Sequence, residues 1–188
     1  MASIGAKKPT FAPFTGAQPA AALPKYGPSI VMGKLVKADV TVTNTKGELY
    51  ADDALSETVE EFSSAAIAME TDDMKDDVAV AVYGATLDSE SEELTFNGND
   101  AIPYGGLTYY KTLRRNGEAV FKGYYYPKVK AAIGNDSAAT KGSSITFGTT
   151  PISFTVFQCE TGAWRVTKEF DAEAACVTWI AAKLTASV

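Results

Sequence analysis

Residues 57–84 read ETVEEFSSAAIAMETDDMKDDVAVAVYG, and the fold turns on how this stretch is divided. In Ser64–Glu70 the residues Ala65, Ile67 and Met69 alternate with Ala66, Ala68 and Glu70, the period of a half-buried strand. Thr71-Asp72-Asp73 then offers N-cap side chains, and Asp76 and Asp77 place negative charge near a first helical turn, where the backbone dipole favours it. Met74, Val78, Ala81, Val82 and Ala85 follow as one apolar face, and Gly84 is a stop. The spacing predicts a helix over 72–83. Val78, Val80 and Val82 also alternate as a strand would, but the cap signals make sense only with a helix.

Outward from this stretch the chain reads as short strands. Residues 34–44 (KLVKADVTVTN) alternate, with Thr45-Lys46-Gly47-Glu48 as a hairpin turn and Leu49-Tyr50 opening the return strand. Residues 51–56 then leave the sheet as an acidic loop. A brief strand at 94–96 precedes a turn at 97–100 and a loop at 101–106 made tight by Gly105 and Gly106. Residues 107–126 form the clearest hairpin, around Asn116-Gly117, with Tyr109, Phe121 and Tyr125 as candidates for cross-strand pairing. Residues 134–142 are a loop and 144–148 a strand. Residues 152–159 and 163–170 read as a hairpin around Glu160-Thr161-Gly162, and 171–184 as a short helix with Asp171 as N-cap. No regular element fits residues 1–28, which hold five of the eight prolines; they read as an extended arm with spaced apolar anchors, ahead of a domain over 29–188.

Composition narrows the function. The 188 residues are enough for one domain that buries its core without disulfides or metals. With no histidine, Ser–His and Cys–His pairs and His-ligated metals are excluded. Cys159 and Cys176 sit in apolar surroundings and read as buried thiols of a protein made in a reducing compartment. No run of about 18 apolar residues predicts a membrane span, and no apolar core follows Lys7 and Lys8 as in a secretory leader. Charge is uneven: residues 1–38 hold five lysines and no acid, whereas 52–93 hold fourteen acids against Lys75 alone. A basic arm and an acidic middle could attract each other between copies, or simply be solvated. Asp72, Asp73, Asp76 and Asp77 lack the glycine and terminal glutamate of a calcium loop, so they read as helix-start charge. No phosphate-loop, dinucleotide, nucleophile-elbow or paired-cysteine motif occurs, and no cofactor is expected. The basic, tyrosine-rich hairpin could stack single-stranded nucleic acid, against the plainer reading of a sheet with an aromatic core face.

The segment Lys46-Gly47-Glu48-Leu49-Tyr50-Ala51-Asp52-Asp53, then Glu57, Ile67-Ala68-Met69-Glu70, Asp72-Asp73-Met74 and Gly84, resembles the major tail proteins of long-tailed, non-contractile bacteriophages. Pro103-Tyr104-Gly105-Gly106, Tyr124-Tyr125-Tyr126 and Trp179-Ile180 are similar too, and the resemblance spans residues 33–182. It implies a mainly β fold: a two-sheet antiparallel β-sandwich flanked by one α-helix, here with a short C-terminal helix and the N-terminal arm. It also implies a virion protein, made in the host cytoplasm, whose hexameric rings stack into a tail tube, tied by arms and a long hairpin loop. Its partners would be other copies of itself, other tail proteins at the tube ends, and passing double-stranded DNA, bound without sequence specificity; no membrane is involved. Candidate inter-subunit contacts are Phe11, Phe14, Tyr26, Tyr50, Asp52, Asp53, Asp76 and Asp77. The alternative is a monomeric β-sandwich module that binds a glycan or peptide on its tyrosine-rich strands.

Overall fold

The computed structural model describes residues 2–16, 22–51, 54–133 and 148–185. Their order is β1 (Ala2–Pro13), β2 (Ile30–Val31), β3 (Leu35–Ala51), β4 (Ala54–Thr71), α1 (Asp76–Tyr83), β5 (Thr86–Leu87), β6 (Leu94–Thr95), β7 (Tyr104–Arg115), β8 (Glu118–Ala132), β9 (Thr150–Val156), β10 (Val166–Phe170) and α2 (Glu173–Leu184). The fold is mainly β. Eight strands form one antiparallel sheet in the order β2-β1-β7-β8-β9-β4-β3, with β10 also on β8; β5 and β6 form a separate small ribbon. The two layers expected of a sandwich are thus parts of a single hydrogen-bonded sheet, which curls until β3 approaches β1.

The branch lies in β8. Its first half pairs with β10 (Val166↔Tyr125 to Phe170↔Phe121) and its second with β9 (Val129↔Val156 to Ala132↔Ser153). Between them sits Pro127, which has no N–H to give a ladder, opposite a register shift in β7 between Gly105 and Leu107. Consequently β9 and β10 are not the hairpin that the Glu160–Gly162 turn suggested. That turn exists, with Gly162 at φ 82°, but its two strands go to different stretches of β8.

Other expectations hold or shift for local reasons. Ala65, Ile67 and Met69 are buried while Ala66 and Ala68 are exposed, as the alternation required. The Asn116-Gly117 turn stands as read, both residues at positive φ (52° and 88°). The directly opposed aromatic pair across this hairpin is Tyr109 with Tyr124, stacked at 5.0 Å; Phe121, opposite Thr112, meets the Tyr110 ring diagonally at 6.5 Å, and Tyr125 lies opposite Thr108. Gly105 and Gly106 are strand residues, not a turn. A Cβ on Gly105 would meet the Phe11 ring at 2.4 Å, and one on Gly106 would meet Tyr26 at 2.6 Å. The strand at 94–96 and the Asn97–Asp100 turn are present, whereas the loop at 134–142 and all but the last residue of the strand at 144–148 fall outside the described residues.

Helix α1 starts later than the cap signals suggested, with Lys75 as N-cap. Asp72 is engaged elsewhere, accepting from the Lys34 backbone N–H at 2.7 Å, and Asp73 accepts from Met74 N–H at 2.8 Å. Val78, Ala79, Val82 and Tyr83 are its buried face, so Ala79 takes the place expected of Ala81. Gly84 ends it at φ 73°. Helix α2 starts at Glu173 with Ala172 as N-cap, in place of Asp171. It packs on β7, β8 and β10, and its close approach depends on Gly123, where a Cβ would meet Trp179 at 2.8 Å.

The largest correction concerns residues 1–28. Residues 2–13 are a strand inside the sheet, between β2 and β7, although no regular element was expected there. Phe11 stacks on Phe154 and Tyr26 lies between Ala12, Tyr125 and Leu184, both fully inside the chain's own core. Of the spaced apolar residues, Phe11, Phe14 and Tyr26 have ring partners in the same subunit, whereas Ile4 and Leu23 are exposed.

Candidate functional site

The feature that sets this fold apart is the β3–β4 hairpin. Its strands are 17 and 18 residues long, roughly 55–60 Å of extended chain at about 3.3 Å per residue. The turn expected at Thr45–Glu48 is mid-strand: Thr45↔Glu61, Lys46↔Glu60, Gly47↔Val59 and Glu48↔Thr58 are ladder pairs. Gly47 has no positive φ, so it does not reverse the chain. Ala51 pairs with Ala54 and Tyr50 with Leu55, so Ala51 and 54–56 belong to the strands and do not leave the sheet, and Glu57 is a strand residue.

Only the base of this hairpin belongs to the sheet body. Pairing of β4 with β9 stops at Ala65↔Val156. Beyond it, residues 44–49 and 57–61 are exposed on both faces. Leu49 and Val59, at least half exposed, fall on one face with Glu57 and Glu61, as the pairs Leu49↔Glu57 and Thr45↔Glu61 dictate. The other face carries Lys46, Glu48 and Glu60, with Lys46 paired to Glu48 at 2.5 Å. Over residues 44–62 the sequence holds six acids and one lysine. A two-stranded ribbon without a packed face is marginal in water, and its outer edges leave backbone donors and acceptors unladdered.

Of the residues singled out from sequence, Asp76 and Asp77 are exposed on the first turn of α1, while Phe14 is half-buried against Tyr26 and Tyr104. Phe11 and Tyr26 have no surface to offer a neighbour. Asp52 and Asp53 lie outside the described residues; the backbone of Tyr50 pairs with Leu55 near the tip of the ribbon. The structure therefore brings the backbone of Tyr50 towards one end of the ribbon and leaves Asp76 and Asp77 on α1. Leu49, Val59, Glu57, Glu60 and Glu61 are not legible as ribbon surface in the sequence, because Gly47 reads there as the turn.

The tyrosines of β7 and β8 are not an open platform. Tyr109, Tyr125 and Tyr126 are buried, and Tyr109 stacks on both Tyr124 and Tyr126. Burial raises the phenol pKa of Tyr26, Tyr109 and Tyr126 and pushes that of Tyr125 up to about 12, so all four stay neutral. Both cysteines are buried free thiols, and burial, then the charge of Glu173, pushes Cys176 up to about 11. A depression of about 400 Å³ beside the start of α1, between Lys34 and Asp77, is lined by Asp72 and Asp73. Among the described residues no group of His, Cys, Asp and Glu is placed to hold a metal ion. Among the described residues no helix is long and apolar enough to cross a membrane.

Searches against protein-family models and curated proteins find no match to this chain. The geometry of its own residues therefore carries the functional reading.

Proposed function

We propose that the chain is a structural subunit that self-assembles into stacked rings, the tail tube of a long-tailed, non-contractile bacteriophage. The observation that carries this reading is the acidic β3–β4 ribbon, which extends beyond the sheet body with both faces in solvent. Such a ribbon gains stability only when its faces or edges find a partner, and a patch of one copy meeting a different patch of the next is the contact class that builds rings and filaments. Val59, Leu49 and the surrounding glutamates are the contact residues of this reading, together with Tyr50, Asp52 and Asp53 from the sequence. An acidic wall also suits a conduit for DNA, since it repels phosphate instead of holding it. Under this reading the chain resides in the virion tail, is not an enzyme, and has as partners its own copies, other tail proteins and passing DNA.

The test is assembly. Purified protein, examined by sedimentation and negative-stain electron microscopy across concentration and salt, is expected to give rings or tubes. Exchanging Glu57, Glu60 and Glu61 for lysine is expected to leave the subunit folded and to abolish them. A monodisperse monomer under every condition overturns the proposal.

A further inference from the structure

The ribbon is joined to the body by very little. The β4–β9 ladder ends at Ala65, and the β3–β4 ladder slips between Thr43↔Ser64 and Asn44↔Phe62, leaving Ser63 unpaired opposite β3. A slip of this kind bends a strand and raises its local twist. Past it, Phe62 is the one described ribbon residue that is not exposed, among 44–49 and 57–63. Its ring lies flat on the indole of Trp164, centroids 4.4 Å apart and planes 8° from parallel. The Arg165 guanidinium stands over the same indole at 4.5 Å, and its charge also reaches the Tyr126 hydroxyl in the core. Trp164 sits in the segment between β9 and β10, outside any strand, so the ladder does not fix this contact.

We propose that Phe62, Trp164 and Arg165 form a latch that sets the direction of the ribbon, which otherwise pivots at the slip beside Ser63. The ladder bonds on either side of the slip keep the two strands together but leave the bend between ribbon and sheet body soft. The aromatic stack removes that freedom by holding one side chain beyond the pivot against one anchored in the body. Closing the latch requires no partner, so this holds whether or not the chain forms tubes. For a ribbon that docks on a neighbour, a fixed direction lowers the ordering cost of docking.

The test measures direction. Spin labels at Thr58→Cys on the ribbon and Lys168→Cys on β10 are attached to the full chain, diluted with unlabelled protein so that only distances within one subunit are read; the native cysteines are buried. With the latch intact a single narrow distance distribution is expected. Phe62→Ala is expected to broaden it, while amide exchange in Ala65–Thr71 stays unchanged. Arg165→Gln, which keeps the stack and removes the cation, is expected to broaden it less. An equally broad distribution in the unmutated background, or an unchanged one in Phe62→Ala, overturns the latch. Should Phe62→Ala fail to fold, Arg165→Gln decides, and an unchanged distribution there overturns it.

Discussion

The hydroxyls of Tyr26 and Tyr125 stand 2.6 Å apart in the interior, and Tyr26 Oη lies 2.7 Å from the carbonyl oxygen of Pro127. A carbonyl only accepts, so Tyr26 donates to Pro127 and Tyr125 donates to Tyr26. Tyr26→Phe leaves both the Tyr125 hydroxyl and the Pro127 carbonyl unpartnered and is expected to cost about 1–3 kcal/mol. Tyr125→Phe leaves the Tyr26–Pro127 bond in place and is expected to cost about 0.5–1.5 kcal/mol. Urea unfolding of both variants checks the order; a larger loss for Tyr125→Phe reverses the donor chain.

Strand β1 lies inside the sheet, so removal of residues 1–28 is expected to abolish cooperative unfolding, seen as loss of the near-UV circular dichroism signal and of a thermal transition. Phe11→Ala is the milder form of the same test. It opens a cavity against Phe154 and is expected to cost about 3–5 kcal/mol. A truncated chain that melts like the full one would show β1 to be dispensable.

Glu173 joins α2 to the sheet. Its carboxylate accepts from the Tyr110 hydroxyl and pairs with Lys7 at 3.3 Å, and these two contacts, the tyrosine first, hold its pKa below the ordinary glutamate range. A carboxyl with a lowered folded-state pKa adds stability that is present above its unfolded pKa of about 4.3 and is lost as pH falls through the folded value. The unfolding midpoint of the unmutated protein is therefore expected to exceed that of Glu173→Leu at pH 7. The gap should close on acidification below about pH 4. A gap independent of pH would assign the effect to packing alone.

Helix α1 gives a paired test of face assignment. Val78 is buried, and Val78→Asp places an unpaired charge in the core, with an expected loss of several kcal/mol against a total of about 5–15 kcal/mol. Asp76 and Asp77 are exposed; Asp76→Lys loses the favourable helix-start charge, about 0.3–1 kcal/mol, and Asp77→Lys loses in addition the hydrogen bond that its carboxylate accepts from Val78 N–H at 2.9 Å, about 0.5–1.5 kcal/mol. Thermal melts separate the two; a harmless Val78→Asp beside a disruptive Asp77→Lys would invert the face.

What the sequence determined by itself was local. The alternation of Ala65, Ile67 and Met69, the Asn116-Gly117 turn, the glycine stop after α1 and the burial of both cysteines each follow from residues within a few positions of one another. Strand content and the two helices were legible for that reason, as was the absence of histidine chemistry. Tertiary structure decided everything that depends on a partner far along the chain. Phe11 and Phe14 look the same in sequence, yet the first is core and the second half-exposed, because β7 supplies a ladder for residues 2–13 from about a hundred residues away. Gly47 looked like a turn and Gly105 like a loop. One proved to be a ladder residue with ordinary φ, the other a strand residue kept bare for the Phe11 ring. Glycine permits several backbones, and only its neighbours in space select among them. The ribbon was hidden for the same reason: its reach depends on where β9 stops pairing with β4, and strand ends are set by which segments compete for an edge, a quantity that no local spacing carries.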